Sequence, residues 1–464
     1  MQTDERLPPA DPHDRRFHAP WERPLTKILT PFEEFIQRQT TGSVILMICL
    51  AIALALANSP WAAIYHDIIN TPISVAVGAF KLEKTLHYWV NEGLMALFFF
   101  VVGLEIKRAI LVGELSSPRQ AALPIIAAVG GMLVPALIYF AINPEGVAAR
   151  GWGIPMATDI AIAVGALVLL GSRIPRSLVM FLVALAIVDD LGAVLVIALF
   201  YTEQIALHYL GAALLLWLVL IVFNLGGIRN PLPYFLVAVA LWLMLLQSGV
   251  HATIAGVLGA FAVPARPKYD PAYFSRHLRD LMDRFDAHQR AEKNIMVNTG
   301  LYSIVQTVEH SAEIAQTPLQ RLERFYHLPV ALLVVPVFAL TNAGVALDSV
   351  PLADALRHPV TLGVIAGLVL GKFIGITGVC WLALKLNIGR FPEHTTFHHI
   401  VGAGLLAGIG FTMSLFIAEM GFAQSAEHLL MAKVGILCAS LIAVVAGYVW
   451  LLLSTRVSKG APTI

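Results

Sequence analysis

Charged residues are scarce in this 464-residue chain, at 13% of the total. Soluble domains carry about 25%, so the composition excludes an ordinary soluble globular protein. Cysteine is rare as well, and Cys49, Cys380 and Cys438 all lie in apolar runs. This placement argues against a disulfide framework and against a cysteine metal cluster. The formal net charge is only +1, so no nucleic acid or other polyanionic partner is expected.

Apolar residues are abundant instead, at 58%, and the mean hydropathy is +0.76. A helix that spans a lipid bilayer needs about 20 mostly apolar residues. The sequence therefore predicts an all-α polytopic membrane protein with about 12 transmembrane helices. The predicted spans are 41–59, 86–106, 121–142, 152–170, 177–201, 206–223, 232–247, 248–263, 328–347, 360–384, 398–419 and 428–454. The apolar piece within 60–85 is too short to span, and we expect an ordered loop or hairpin there.

Lysine and arginine are distributed unevenly between the two sets of loops. The loops and termini on the side of the N-terminus carry 25, the opposite loops carry 4, and Lys372 and Lys433 lie within spans. Because positively charged loops stay in the cytoplasm, both termini are predicted to be cytoplasmic. The predicted regions are a cytoplasmic N-terminal tail (1–40), a single transmembrane transporter domain (41–454) and a cytoplasmic C-terminal tail (455–464).

One predicted cytoplasmic loop, residues 264–327, is much longer than the others. Its segment "RHLRDLMDRFDAHQRAEKNIM" has the pattern of an amphipathic helix. A solvated or interfacial helix and a regulatory element are both consistent with this pattern.

Four titratable residues lie inside predicted spans rather than at their ends: Asp159, Asp189, Asp190 and Lys372. A charge at the centre of a bilayer costs about 2.5–3.5 kcal/mol, and such residues usually mark ion or proton pathways. A structural ion pair between helices is the alternative for any one of them. Lys372 can neutralise only one carboxylate, so the others must be protonated or must bind a cation.

Asp189 and Asp190 are neighbours, and neighbouring side chains on an α-helix point about 100° apart. One of them can therefore face a water-filled cavity while the other faces a neighbouring helix. A carboxyl group that is desolvated beside another binds its proton more tightly. A hard cation would compete with that proton for the same oxygens, and ion–proton exchange requires this competition.

Two predicted spans contain several residues that interrupt helices. They are Gly151, Gly153 and Pro155 in span 4, and Gly402, Gly404, Gly408 and Gly410 in span 11. Each interrupted span is the middle member of a triplet, spans 3–5 or 10–12, and the two triplets begin on opposite sides of the membrane. Paired interrupted spans in inverted repeats indicate a transporter site, although close helix packing also favours small residues.

Several of these segments resemble the bacterial NhaA-type sodium/proton antiporters. The matching motifs are "FFFVVGLEIKR", "GGMLVPALIY", "ATDIAIAVGALVLLGSRIP", "ALAIVDDLGA", "SGVHATIAGV", "GLVLGKFIGI" and "GIGFTMSLFIA", which occur in order between about residues 41 and 454. The resemblance implies twelve helices in two inverted three-helix repeats (helices 3–5 and 10–12). Helices 4 and 11 would cross as broken segments, with the breaks at Gly153, Pro155, Gly408 and Gly410.

The resemblance also implies a function. The chain would be a secondary active transporter of the bacterial inner membrane rather than an enzyme, and it would need no cofactor. It would extrude Na⁺ or Li⁺ in electrogenic exchange for two external protons, for sodium and pH homeostasis. The loop at 60–85 would mediate a homodimer.

Residue roles follow from the same resemblance. Asp190 would be the principal ion- and proton-binding carboxylate, and Na⁺ would bind at Asp190 and Asp189. Asp189 would pair with Lys372 in one state. Thr158 and Asp159 would lie at the helix crossing, where Asp159 offsets the positive half-helix ends and Lys372 the negative ones.

The family's alkaline activation implies a set of residues for pH response. Those that match are Glu105, Lys107, Arg108, Glu323, His327 and His251. The chain departs from the family at Ala109, where Glu is common, and at Arg324, where His is common. His251 is equally explained as a histidine hydrogen-bonded at a helix contact.

Two alternatives belong to other classes. An intramembrane enzyme that uses paired aspartates is disfavoured, because "DDLGA" has no third acid, lies mid-span and lacks the Gly-Asp motif of aspartyl proteolysis. A Na⁺-coupled transporter of organic anions with the same architecture could use Lys372 for the anion. The combined "TD", "DD" and "K" motifs favour the antiporter.

Overall fold

The computed structural model describes residues 31–78, 80–202, 205–266, 271–289, 299–346, 351–386, 388 and 391–458. Most of the predicted N-terminal tail and the last six residues of the predicted C-terminal tail lie outside these ranges. So do two parts of the long predicted loop, 267–270 and 290–298.

Helices account for nearly all of the described structure. In the first half they are α1 (Pro31–Ala57), α2 (Ala62–Ile69), α3 (Leu86–Tyr88), α4 (Met95–Val112), α5 (Pro118–Ile142), α6 (Gly146–Ala149), α7 (Ile160–Val168), α8 (Arg176–Phe200), α9 (Leu207–Leu225), α10 (Pro231–Ser248) and α11 (Ile254–Ala262). In the second half they are α12 (Pro271–Gln289), α13 (Thr299–Ala315), α14 (Pro318–Pro329), α15 (Val335–Asn342), α16 (Leu352–Arg357), α17 (Pro359–Ile365), α18 (Lys372–Lys385), α19 (Phe397–Leu406), α20 (Phe411–Gly421) and α21 (Ala426–Ser458). Short 3₁₀ segments lie at Arg150–Met156 and Gly171–Arg173, and π-helical turns at Trp89–Leu94, Val330–Val334 and Ala366–Gly371.

The short apolar piece after the first span forms a hairpin, as predicted. Strands β1 (Pro72–Val77) and β2 (Phe80–Thr85) are antiparallel, with Pro72 opposite Thr85. Gly78 in the connecting turn has a φ of +59°, a left-handed conformation that glycine adopts without steric cost.

The membrane-spanning helices support the predicted fold class. Among the described residues, seven helices are long and apolar enough to cross a bilayer, and up to ten spans result if three bent helix pairs each count as one. The bent pairs are Thr41–Ala57 with Ala62–Ile69 (116°), Gly146–Met156 with Ile160–Val168 (42°) and Phe397–Leu406 with Phe411–Gly421 (45°). The protein is therefore an all-α polytopic membrane protein, whereas the number twelve stays a prediction.

The two predicted spans that are missing from these ten have identifiable differences. The helical run from Leu86 to Val112 carries three charged residues near its end and contains a π-helical turn. The predicted span 248–263 consists of a turn followed by the helix α11, whose nine residues are too few to cross a bilayer. Gly249, with a φ of +82°, ends α10 at this turn.

The two predicted triplets share one pattern, in which a broken helix lies between two longer helical segments. Their first members, α5 and the run α17–α18, pack against each other. A Cβ atom at Gly130 of α5 would lie 2.6 Å from the carbonyl oxygen of Gly375, so the close approach needs glycine there. This contact holds the start of α18, and with it Lys372, in the interior of the protein.

The long predicted loop is partly helical. The predicted amphipathic helix is confirmed over 276–289 by α12, and its remainder lies outside the described residues. Another helix in this loop, α13, was not predicted. It packs against α12, and Leu281, Leu301 and Ile304 are buried. Most of α14 also lies within the predicted loop, so the helical run of the ninth span begins at Pro318 rather than at 328.

Candidate ion-binding site

The two broken helices cross, and each satisfies backbone groups that the other leaves open. The backbone N–H of Asp159 donates to the carbonyl of Ile409 (2.6 Å), and the Ser414 hydroxyl donates to the carbonyl of Ile154 (2.7 Å). Interrupted backbone at membrane depth is tolerated only where protein or a cavity replaces the lost hydrogen bonds. The predicted crossing of helices 4 and 11 is therefore present.

Most of the predicted helix-breaking residues lie at these interruptions, whereas Gly402 and Gly404 lie inside α19, where they allow close packing. Gly153 and Pro155 belong to the 3₁₀ segment that directly precedes the non-helical residues 157–159. Gly408 and Gly410 lie between α19 and α20. A Cβ atom at Gly408 would lie 2.6 Å from the carbonyl oxygen of Leu368, so a larger residue there would push the crossing apart.

Asp159 caps two half-helices with one carboxylate. Its Oδ1 accepts the backbone N–H of Ile162 in α7 (3.1 Å). Its Oδ2 accepts both the backbone N–H (3.0 Å) and the hydroxyl (2.7 Å) of Thr412 in the first turn of α20. Helix N-termini carry partial positive charge and favour a nearby anion. This geometry supports the predicted electrostatic role of Asp159.

Asp189 and Lys372 form a fully buried ion pair, with both side chains 0% exposed. The Lys372 ammonium donates to Oδ2 of Asp189. The hydroxyl of Thr158 lies 2.7 Å from the same oxygen and 3.0 Å from the carbonyl oxygen of Ala407. Since a hydroxyl has one proton, Thr158 donates to one of these two acceptors at a time.

Asp190 points elsewhere, into a cavity of about 90 Å³. Within the part of the chain that the structure describes, its buried Oδ1 has no hydrogen-bond partner. The polar residues that line this cavity are Glu105, Thr158, Asp159, Asp190, His327 and Thr412. The cavity has room for several water molecules. The two neighbouring aspartates therefore face different partners, as the helix geometry requires.

The cavity offers oxygen atoms to a cation, but Asp189, the second predicted Na⁺ ligand, does not line it. Among the described residues, no group of three or more His, Cys, Asp or Glu side chains is arranged to hold a metal ion. Carboxylate and hydroxyl oxygens of Asp190, Asp159 and Thr158 are nevertheless hard ligands that suit a hard cation. An ion in transit must bind weakly enough to leave again.

A cluster of charged residues lies at the end of this cavity on the side of the N-terminus. Glu105 of α4 lies 3.4 Å from Nδ1 of His327, and Arg108 donates to Glu323 of α14 at 2.8 Å. Glu105 and His327 also line the cavity wall. Four of the predicted pH-response residues are thus brought together between α4 and α14.

Two other predicted pH-response residues lie outside this cluster. Lys107 donates to the carbonyls of Phe261 (2.6 Å) and Val263 (2.5 Å) at the end of α11, where a cation suits the negative helix end. His251 follows the turn after α10. Its Nδ1 lies 3.3 Å from Oε1 of Glu92, in a different cavity.

The two departures from the family pattern have different environments. Ala109 is fully buried in a small apolar cluster with Val102, Ile106 and Ile187. A glutamate would not fit this cluster without a partner for its charge. Arg324 is exposed to the surroundings of the protein.

Comparison with known proteins identifies the family. A family model described as Na⁺/H⁺ antiporter 1 matches residues 33–451. The chain belongs to this family. The resemblance of the sequence motifs to sodium/proton antiporters is thereby confirmed.

Family members of similar length are close in sequence. The "Na(+)/H(+) antiporter NhaA 1" of Saccharophagus degradans is 52% identical over 440 residues, covering 95% of each chain. The "Na(+)/H(+) antiporter NhaA" of Sulfurimonas denitrificans is 52% identical over 436 residues, 94% of this chain and 98% of the relative. A relative with the same name from Syntrophobacter fumaroxidans is 48% identical over 446 residues, 95% and 94%. By their names these relatives are transporters rather than enzymes.

Several residues that support the site were not predicted. The Tyr201 hydroxyl accepts the N–H of Gly153 (3.3 Å) and donates to the carbonyl of Arg150 (2.7 Å), which holds the 3₁₀ segment before the break. Thr412 completes the cap on Asp159. Gly408 and Gly410 indicated where the second half-helix of span 11 begins, but nothing in the sequence indicated the roles of Thr412 and Tyr201.

Proposed function

We propose that this protein exchanges Na⁺ or Li⁺ for protons across a bacterial inner membrane, as a secondary active antiporter. The observation that carries the proposal is Asp190, a buried carboxylate that faces a cavity and whose Oδ1 has no hydrogen-bond partner among the described residues. Such a carboxylate is costly unless it binds a proton or a cation. The names of the relatives agree with this exchange.

In this proposal the proton and the cation compete for Asp190. Asp159 and Thr158 add oxygen atoms to the same cavity, and Asp159 stays fixed because it caps α7 and α20. A cation that arrives through the cavity displaces the proton, and a proton that arrives from the opposite side displaces the cation. Binding of either ligand favours one of two access states.

The proposed stoichiometry is two protons for each Na⁺, which moves one net charge in each cycle. Asp190 carries one proton, and the Asp189–Lys372 pair is the source of the second. The pair is buried and shares an oxygen with Thr158 at the helix crossing. Movement of the half-helices would therefore change the partners of this pair.

We further propose that both termini are cytoplasmic and that the cluster of Glu105, His327, Arg108 and Glu323 sets the pH dependence. The cluster joins α4 to α14 at the cytoplasmic end of the cavity. Its charge state would control access to Asp190. The hairpin β1–β2 is the proposed contact of a homodimer.

The alternative, Na⁺-coupled transport of an organic anion, is not favoured. Lys372 would have to bind the anion, but its ammonium donates to Asp189 in a fully buried pair. An anion could reach this lysine only by displacing that carboxylate.

Everted membrane vesicles test the proposal directly. An acidic lumen is established by respiration, and a fluorescent amine dye reports the pH gradient while Na⁺, Li⁺ or K⁺ is added between pH 6.5 and 9. We expect Na⁺ and Li⁺ to dissipate the gradient and K⁺ to have no effect. The matched control is Asp67→Asn, which changes an exposed aspartate on α2 and should leave exchange unchanged. A gradient that Na⁺ and Li⁺ leave intact at every pH would refute the proposal.

A further inference from the structure

A second, larger cavity lies at the other end of α20. Its volume is about 640 Å³. The polar residues of its wall are His87, Tyr88, Asn91, Glu92, Tyr201, His251 and Glu419. By the order of the spans, it opens toward the side opposite the N-terminus, which the loop charges predict to be extracytoplasmic.

The half-helix α20 connects this cavity to the ion-binding site. Thr412 in its first turn contacts Asp159, and Glu419 near its last turn faces the second cavity. Seven residues separate the two, a rise of about 10 Å along the helix. Whatever holds Glu419 in place therefore also restrains the contacts of Asp159.

Glu419 is held by groups from two other helices. Its Oε1 lies 2.7 Å from the ammonium of Lys433 in α21 and 3.7 Å from Nε2 of His87 in α3. The side chains of Glu419 and Lys433 are 9% and 12% exposed, whereas that of His87 is 29% exposed. His87 is thus the member of this cluster that a proton from the cavity reaches most readily.

The imidazole of His87 is fixed in position by a buried amide pair. Asn342 donates to Asn91 at 2.8 Å, and Asn91 donates back at 3.2 Å. Nε2 of His87 lies 3.0 Å from Oδ1 of Asn342. The Asn342 oxygen accepts the N–H of Nε2, so a further proton binds at Nδ1, and the positively charged ring then lies 3.7 Å from Oε1 of Glu419. The network therefore links α20 to α3, α15 and α21.

We propose that His87 is an extracytoplasmic proton-binding site and that its protonation latches α20 through Glu419. This inference rests on the proposed exchange function and on the predicted orientation. With His87 neutral, Lys433 balances Glu419. Histidine changes charge between pH 5 and 8, and a protonated His87 places a positive charge 3.7 Å from the Glu419 carboxylate, which attracts it electrostatically.

The other charged groups around the second cavity are separately engaged. Glu92 accepts the N–H of Ala252 (3.0 Å) and faces His251. The ammonium of Lys84 lies over the ring of Tyr88, 4.7 Å from its centre. With both histidines neutral, the carboxylates of Glu92 and Glu419 are matched in number by the ammonium groups of Lys84 and Lys433.

The latch has a defined direction. In the structure α20 holds Thr412 against Asp159, and the cavity of Asp190 reaches Glu105 and His327 on the predicted cytoplasmic side. A protonated His87 stabilises this arrangement. External acid therefore slows the departure from this state and lowers the rate of exchange. This effect opposes the increase in rate that a larger supply of external protons would otherwise give.

The test measures ²²Na⁺ efflux from right-side-out membrane vesicles that contain the full-length protein. The lumen is strongly buffered at pH 8, the external pH is varied from 8 to 5.5, and initial rates are taken. We compare Glu419→Gln and His87→Gln with the unmodified protein. The His87→Gln ratio should be near 1 at external pH 8 and should rise at least about fivefold at pH 5.5, the lower range of coupling between linked sites. The Glu419→Gln ratio starts from a different value at pH 8, because this variant also loses the pair with Lys433, but it should rise by the same factor.

His66→Gln is the matched control, because His66 is an exposed histidine on the same predicted side, on α2. Its rate ratio should stay near 1 at every pH. His87→Gln leaves the ion pair between Glu419 and Lys433 intact, so it remains informative if Glu419→Gln fails to fold. Flat ratios for the variants that fold would overturn the latch. Absence of Na⁺ efflux from the unmodified protein would instead contradict the proposed exchange function.

Discussion

Replacement of Lys372 by methionine tests whether the buried pair at the crossing is a structural necessity. The substitution keeps most of the side-chain volume and removes the charge that Asp189 contacts. Removal of one partner from a buried ion pair costs about 3–5 kcal/mol, because the other charge is left uncompensated. The Thr158 hydroxyl still donates to Asp189, so we expect the lower end, about 3 kcal/mol.

Thermal unfolding of the purified protein in detergent measures this loss. At ~2 °C for each kcal/mol in a large domain, the melting temperature of Lys372→Met should fall by about 6 °C. Lys385→Met is the matched control on the same helix, where an exposed ammonium lies 5.0 Å from the ring centre of Trp381. We expect that control to lose less than about 1 kcal/mol.

The double variant Lys372→Met with Asp189→Asn separates charge from packing. It has no uncompensated charge, so its free energy of unfolding should return to within about 1 kcal/mol of the unmodified protein. If the double variant is as unstable as the sum of the single variants, the uncompensated charge is not the cause. A single variant as stable as the Lys385→Met control would refute the reasoning as well.

Three further predictions concern the crossing and the charged cluster. Asp159→Ala removes the caps of α7 and α20. At about 1 kcal/mol for each cap, the free energy of unfolding should fall by ~2 kcal/mol, and exchange in vesicles should be lost. Retained exchange would contradict this role of Asp159. Arg108→Gln breaks the 2.8 Å ion pair with Glu323. The pH profile of exchange should shift, while the free energy of unfolding changes by less than about 1 kcal/mol. An unchanged pH profile would exclude this ion pair from pH control. Gly408→Val places a side chain against the Leu368 carbonyl, so the variant should lose its monodisperse peak in size-exclusion chromatography. The control Gly378→Ala adds a methyl group in open space and should keep that peak.

Much of this architecture is predictable because the bilayer strongly restricts which residues a membrane-spanning segment can contain. Long apolar runs indicate the spans, and glycine and proline before Asp159 indicate the interruption in span 4. Asp189, Asp190 and Lys372 were recognised because charges inside apolar runs are rare. The short hairpin was predicted because its apolar piece cannot cross a membrane.

Contacts between distant parts of the chain could not be predicted in this way. The carbonyls that Lys107 contacts belong to a helix about 150 residues later, and its distance from the cluster at Glu323 depends on how α4 is rotated. Glu419 was overlooked because it lies near a span end, where charges are common. Its importance appears only when α3 and α21 pack around it.

The central claim is that a cation and a proton compete for Asp190. The most direct measurement adds Na⁺ to the purified protein in weakly buffered detergent solution near pH 8 and records proton release. The account predicts that Na⁺ releases protons from the unmodified protein and from Asp67→Asn, and that Asp190→Asn abolishes the release. Undiminished proton release from Asp190→Asn, or none from the unmodified protein, would contradict it.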